Sequence, residues 1–302
     1  MTRNFFLYLS QQQCLRRWME TSPTARKLTR RFIAGETLED ELSVSAQLKA
    51  QGILTALDHL GENVTSLEEA HASAAAYLDA LDQIAARCLP ATVSIKATQF
   101  GMDVSESACY DNVLRVAARA KAIGSRVEID MEATAYTERT IALVAAVAQK
   151  VGDIRVCIQA YLFRSPADID RLNRLGIRVR LCKGAYNEPP ILALPNKADV
   201  DRSYVELMHR LFDSGVDPAI AGHDPRMIQE AIRYTRERGI AAEGFEFQML
   251  YGIRRDLQRQ VLDQGFRLRL YVPYGTAWYP YFMRRLSERP ANVLFVARSL
   301  FR

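Results

Sequence analysis

The sequence predicts an α/β protein built as one eight-fold β/α barrel of the TIM type, with extra helices at its amino end. From residue 50 onward, eight short segments rich in β-branched and aliphatic residues alternate with longer stretches whose apolar residues recur at helical period. Several of those stretches end at a glycine, the residue that closes a helix in the left-handed conformation. No G-x-G-x-x-G turn follows any strand, which argues against the rival doubly wound sheet.

Taken in order, residues 1–45 form a basic arm. Arg3, Arg16, Arg17, Arg26, Lys27, Arg30 and Arg31 oppose the single acid Glu20 as far as Arg31. Leu7, Leu15, Trp18, Met19, Leu28 and Phe32 stand at helical spacing, so two or three short basic helices are expected. They either pack on the main domain with a solvated basic face or touch an anionic membrane surface. Residues 46–302 form the barrel. Its strands are expected near 52–58, 92–96, 126–130, 155–159, 178–182, 218–223, 242–247 and 268–272. Helices are expected over 105–123, 137–151, 166–175, 200–214, 226–238 and 254–264, with Gly124, Gly176, Gly215, Gly239 and Gly265 as their stops. Residues 187–201, carrying Pro189, Pro190 and Pro195, read as a loop inserted after the fifth strand, where barrel enzymes keep active-site loops.

A chain of 302 residues with 49% apolar and 25% charged residues buries a sizeable core and is not disordered. A net charge of +5, without a basic run interleaved with aromatics, gives no reason to expect nucleic acid. The five cysteines stand apart with no C-x-x-C pair, which argues for a reducing compartment and against a disulfide framework; Cys157 and Cys182 read as core thiols. The four histidines are scattered, so no metal site is expected. The longest apolar run, 141–148, is too short to span a bilayer, and Phe5 to Leu9 is wrongly flanked for a secretory signal. A cytoplasmic protein is expected.

Each expected strand delivers a polar residue at or beyond its carboxyl end, after an apolar run: Lys96, Asp130, Gln159, Arg180 with Lys183, His223, Glu246 and Tyr271. In a barrel these ring one mouth. Lys96, Arg180, Lys183 and the pair Arg284-Arg285 outnumber the acids Asp130, Glu62 and Glu246, so the mouth is expected to carry surplus positive charge and to take an anion. A guanidinium fork suits a carboxylate, at roughly 1.5–3 kcal/mol per charge-assisted bond.

R-V-R-L-C-K-G-A-Y (178–186), E-F-Q-M-L-Y-G (246–252) and L-Y-V-P-Y-G-T-x-W-Y-P-Y-x-x-R-R-L-x-E-R-P-x-N (270–292) resemble proline dehydrogenase, in its short monofunctional branch, over about residues 55–302. The resemblance implies a distorted β/α barrel with FAD at the strand carboxyl ends. It implies oxidation of L-proline to Δ1-pyrroline-5-carboxylate by hydride transfer to FAD, with electrons passed on to a membrane quinone. A hand-off to a separate pyrroline-5-carboxylate dehydrogenase and a peripheral place at the inner face of the cell membrane go with it.

Matching motif to motif, the resemblance gives Arg284, Arg285 and Lys96 the substrate carboxylate, and Glu62 the pairing with Arg284 when the site is empty. Tyr271 and Tyr186 wall the proline ring, with Leu250 and Tyr251 as further candidates. Asp130 and Arg180 are the catalytic candidates, Arg180 approaching flavin N5. Gln159, Met131, Lys183, Gly184, Ala185, His223 and Glu288 line the FAD. Gly222 stands where the family commonly has a small hydroxyl residue, so only a backbone contact is expected there. Asn187 replaces an aromatic of the long branch, so no flavin stacking is expected from it. A hydride transfer needs the proline ring at about 3–3.5 Å from its acceptor, a pose that a cationic grip on the carboxylate would fix. Two rivals remain: a Schiff-base aldolase using Lys96 or Lys183, and an inactive barrel serving as a scaffold, which would have lost the charged strand ends that this chain retains.

Overall fold

Strict alternation along the strands decides the architecture. In Val127-Glu128-Ile129, and again in Arg155-Val156-Cys157-Ile158-Gln159, every second residue is aliphatic and packs in one continuous core with the helices. The residues between them turn to the other face. The computed structural model describes residues 29–279 and 281–283. Its eight strands are β1 (Leu54–His59), β2 (Ala91–Ile95), β3 (Val127–Ile129), β4 (Ile154–Gln159), β5 (Arg178–Cys182), β6 (Ala219–Ala221), β7 (Glu246–Leu250) and β8 (Leu268–Tyr274). They pair in chain order, all parallel, and β8 closes on β1 with Leu54 opposite Arg269 and His59 opposite Tyr274.

Eight helices among the described residues cover the barrel: α1 (Leu38–Lys49), α2 (Leu67–Ala86), α3 (Glu106–Ala122), α4 (Thr134–Val151), α5 (Ser165–Arg174), α6 (Lys197–Ser214), α7 (Pro225–Glu237) and α8 (Arg255–Asp263). Their starts are written in the sequence. Thr37 and Asp40 form a capping box on α1, and Ser66, Ser105 and Asp224 cap α2, α3 and α7. Ala133 offers α4 no side-chain cap, and Glu188 from the loop after β5 accepts the Thr134 N–H instead, at 2.8 Å. Among the described residues no helix is long and apolar enough to cross a membrane.

The inner face is polar. Arg155 on β4 reaches Glu246 on β7 at 2.5 Å, and Gln248 on β7 reaches Glu128 on β3 at 2.9 Å. These strands are not neighbours, so the bonds cross the lumen. Glu128, Arg155, Glu246 and Arg269 make a charge-balanced lower quartet, Arg269 holding Glu246 at 2.9 Å and the Thr55 carbonyl at 2.8 Å. Burial pushes Glu246 up, but Arg269 and Arg155 outweigh it and hold the carboxyl well below its ordinary range. TIM barrels usually fill this space with branched aliphatics; here paired ions fill it.

Four expectations are corrected. Residues 242–244 form a short 3₁₀ turn, and β7 runs from Glu246 to Leu250; Phe247 and Met249 face the helices, and that alternation continues past 247. Glu246 therefore starts a strand and lies at the floor, not at the mouth. The strand ends do not follow apolar runs, because most inward positions are polar, with alanines at Ala56, Ala219 and Ala221. Gly215 has φ −84°, outside the left-handed region, unlike Gly124, Gly176, Gly239 and Gly265. The inserted loop ends at Asn196, where α6 begins.

A second cluster, Phe32, Ile33, Leu60 and Ile253 with Trp278, Tyr279, Phe282 and Met283, joins the chain before α1 to the segment after β8. Ala34 donates to the Pro273 carbonyl at 2.9 Å, and Gly275 to the Gly35 carbonyl at 3.0 Å.

Candidate active site

Above the lower quartet stands a second one at the carboxyl ends of β1, β2, β3 and β5: Asp58, Lys96, Asp130 and Arg180. Lys96 Nζ donates to Asp58 Oδ1 at 3.1 Å and lies 3.8 Å from Asp130 Oδ2. Arg180 pairs directly with Asp130 and reaches Gln248 Oε1 at 3.4 Å and Glu128 Oε2 at 3.5 Å, which ties the two quartets together. Asp130 also accepts from Ser94 Oγ at 2.8 Å and from the Tyr271 hydroxyl at 2.7 Å. The Arg180 guanidinium sits 5.7 Å from the Tyr271 ring centre, within cation–π range.

Charge in this quartet follows from its partners. Burial pushes Asp130 up, but Arg180, Lys96 and the Tyr271 hydroxyl outweigh it, and the carboxyl titrates below its ordinary range. Asp58 goes the other way: burial outweighs Lys96 and the nearby Tyr271 hydroxyl, the Asp130 charge adds to the rise, and its Oδ2 makes no hydrogen bond. Burial draws Lys96 down, yet Asp58 and Asp130 together hold the ammonium above the ordinary lysine range. A lysine kept protonated is a cation for binding an anion, and a poor amine nucleophile. The Schiff-base reading loses its best residue.

Around this centre the β4 and β5 ends form a rim. Gln159 donates to the Glu132 carbonyl at 3.0 Å and accepts from the Ala185 N–H at 3.4 Å. Lys183 is held by Asp201 at 2.5 Å and Asp224 at 3.1 Å. Gly184 has φ +119°, and a Cβ there would lie 2.2 Å from the Tyr161 ring, so only glycine lets the backbone lie flat on that ring. Gly184 and Ala185 are exposed, Tyr186 and His223 half-buried, and Met131 buried. His223 Nε2 accepts from the Leu250 N–H at 2.8 Å, which leaves the ring proton on Nδ1. A Cβ at Gly222 would meet only Tyr204 Oη, at 3.7 Å. Across the rim, Leu162 and Ala193 form a bridge and Leu194 donates to the Tyr161 carbonyl at 2.7 Å, fastening the inserted loop to the turn after β4.

The structure thus brings Lys96, Asp130, Arg180 and Tyr271 into one cluster, with Gln159, Lys183, Gly184, Ala185, Tyr186, Met131, Gly222 and His223 at or near the strand ends around it. Glu62 is exposed in the loop after β1. Arg284, Arg285 and Glu288 lie outside the described residues. The expected surplus of positive charge is not found among the described residues, because a buried cation has to be paired: Asp58, Asp130, Asp201 and Asp224 answer Lys96, Arg180 and Lys183. Asp58, Ser94, Glu128 and Gln248 were missed by sequence reasoning. Asp58 closes the first expected strand as Asp130 closes the third, and strand parity places the other three on the inner face.

These residues fit a flavin dinucleotide in kind: an exposed glycine backbone and a tethered lysine for a diphosphate, a glutamine and an arginine for a polar ring edge. The family model described as proline dehydrogenase matches residues 42–298. The chain is 37% identical over 302 residues to "Proline dehydrogenase 1" of Bacillus subtilis (strain 168), covering 100% of each. It is 36% identical over 280 residues to "Proline dehydrogenase" of Deinococcus radiodurans, covering 91% of this chain and 90% of that one. Among solved structures, proline utilization A from Bdellovibrio bacteriovorus, inactivated by N-propargylglycine, superposes with a TM-score of 0.81 at 25% identity. That match covers 87% of this chain and 32% of the larger protein. On its sequence, its closed barrel and these relatives, the chain belongs to the proline dehydrogenase family and is an enzyme of that type.

Proposed function

We propose that the protein oxidises L-proline to Δ1-pyrroline-5-carboxylate with FAD as its resident cofactor, and that the electrons go on to a membrane quinone. The observation that carries this reading is the Asp58–Lys96–Asp130–Arg180 quartet capped by Tyr271, a preorganised charged centre at the barrel mouth. Bound FAD supplies the acceptor for the hydride leaving proline C5.

In this reading Lys96, with Arg284 and Arg285, grips the substrate carboxylate, and Glu62 occupies Arg284 between turnovers. Tyr271 and Tyr186 wall the pyrrolidine ring and exclude water. Asp130 stays ionised and works by position: it orients Arg180, Lys96 and the Tyr271 hydroxyl at once. Arg180 carries a fixed positive field to the place where negative charge gathers as hydride departs, which favours the transition state over the ground state. Gln159, Met131, Lys183, Gly184, Ala185, the Gly222 backbone, His223 and Glu288 line the cofactor. Within residues 1–45 the basic stretch before α1 brings the barrel, residues 46–302 with α1 packed on it, to the inner face of the cell membrane, and a separate pyrroline-5-carboxylate dehydrogenase takes the product.

The visible spectrum of the purified protein tests the reading. Flavin absorbance that bleaches on addition of L-proline supports it, and a colourless protein unable to take up FAD refutes it. Arg284→Met should raise the apparent KM for proline by orders of magnitude while flavin stays bound.

A further inference from the structure

Cys157 and Cys182 occupy inward positions on neighbouring strands. In the β4–β5 register Cys157 stands opposite Arg180 and Cys182 opposite Gln159, so both thiols, packed in the core as expected, turn to the inner face near the mouth. Their sulfurs lie 3.4 Å apart, in direct contact. Cys182 is the last residue of β5, half-buried, and Gly184 two residues on has φ +119°. Cys157 sits just beneath it.

The surroundings separate the two thiols. One thiol donates its S–H to the other's sulfur; with Cys182 as the donor, that bond, the Arg180 charge and the Met131 N–H outweigh burial and draw the Cys157 thiol down to about 7. The same hydrogen bond, with burial, pushes Cys182 well above the ordinary thiol range. The pair therefore shares a hydrogen-bonded thiol proton beside the Arg180 guanidinium, with the two sulfurs in contact, the arrangement of an attacking and a resolving thiol. Neither other described cysteine resembles it. Burial pushes Cys109 up to about 12, and Cys88 is exposed at the carboxyl end of α2, far from β4 and β5 in the barrel.

We infer that Cys157 and Cys182 are a peroxide-reactive dithiol built into the mouth of the barrel. The Cys157 thiolate attacks a peroxide oxygen; the O–O bond breaks, hydroxide leaves, and Cys157 becomes a sulfenic acid. The Cys182 sulfur then attacks the Cys157 sulfur, an S–S bond forms, and water leaves with the Cys182 proton. Two thiols are oxidised and one peroxide is reduced to two waters. The cysteines are offset by two residues in the register, so closing the bond draws the mouth ends of β4 and β5 together. A dithiol reductant reopens the bond. The assignment holds whether or not the mouth takes FAD.

Peptide mapping of the intact protein, as purified, after brief exposure to dilute hydrogen peroxide tests it. Trypsin releases Cys157 in peptide 156–164 and Cys182 in peptide 181–183. The expected product is these two peptides joined and lighter by two hydrogens, and restored by dithiothreitol. Of the five thiols, loss of the joined two leaves three by titration of the denatured protein. In Cys182→Ser the link is absent and Cys157 gives a dimedone adduct. Should that variant not fold, the wild-type map decides alone. Sulfinic acid at Cys157 without the link, or preferential loss of Cys88 with this pair untouched, overturns the inference.

Discussion

The Tyr271 hydroxyl donates to Asp130 Oδ2 at 2.7 Å across the lumen, from β8 to β3. Asp130 is meanwhile bound by Arg180 and approached by Lys96, so one carboxylate gathers three side chains from three other strands. Tyr271→Phe removes a hydrogen bond to a charged group, worth about 1.5–3 kcal/mol. We expect kcat/KM for proline to fall roughly tenfold or more. The acid limb of its pH profile should move upward, because one of the donors that hold Asp130 down has gone. An unmoved limb would show that the contact is incidental.

The lower quartet predicts a stability effect. Arg155 is wholly buried between Glu128 and Glu246. Arg155→Met takes one of two cations from the lower quartet and leaves an uncompensated buried carboxylate beside Arg269, which costs about 3–5 kcal/mol, read as a lower urea midpoint. Glu246 gives the pH dependence. Its folded carboxyl is depressed, so its stabilisation is present above the unfolded value and lost as pH falls through the folded one. In Glu246→Gln the acid side of the stability curve should flatten.

Glu41 predicts the opposite slope. It is buried on α1, accepts from Ser45 Oγ at 2.6 Å through one oxygen, and has no partner for the other. Burial pushes the carboxyl up to about 8. A raised acid stabilises the fold fully below its unfolded pKa, and that stabilisation is lost as pH rises through the folded value. Glu41→Gln should remove this loss, so the variant gains on wild type at alkaline pH by at most about 5 kcal/mol. Thermal melts from pH 5 to 9 measure it, and parallel curves would refute it.

Two glycines at the rim should respond differently. Gly184→Ala drives a methyl into the Tyr161 ring at a left-handed φ, so flavin content and melting temperature should both fall. Gly222→Ser meets only an ordinary contact with Tyr204 Oη on backbone that any residue adopts, and its stability should stay within about 0.5 kcal/mol of wild type. Loss of stability in the second variant would mean that the loop after β6 is tighter than its geometry implies.

The barrel was legible because the outer face of each strand is aliphatic and the helices carry their own caps and stops. Seven strands fall close to expectation. The remaining one, β7, was placed too early, at 242–247, whereas Phe247 and Met249 carry the outward alternation. The mouth was legible at Lys96 and Asp130, which directly follow β2 and β3, and at Tyr271 on the inner face of β8. Glu128, Gln248 and Glu246 were not, since a charged residue mid-strand reads as half-exposed until closure of the sheet turns that face inward. The contact between Cys157 and Cys182 was equally hidden: it depends on strand register, which twenty-odd intervening residues do not encode locally.

The salt-linked floor has a consequence for traffic. Arg155, Glu128 and Glu246 are at most 1% exposed, so they plug the barrel below the reacting centre and leave no exit through its base. Whatever enters from above departs by the same doorway. A product that lingers there blocks the next molecule, and its inhibition should therefore be overcome by raising substrate concentration.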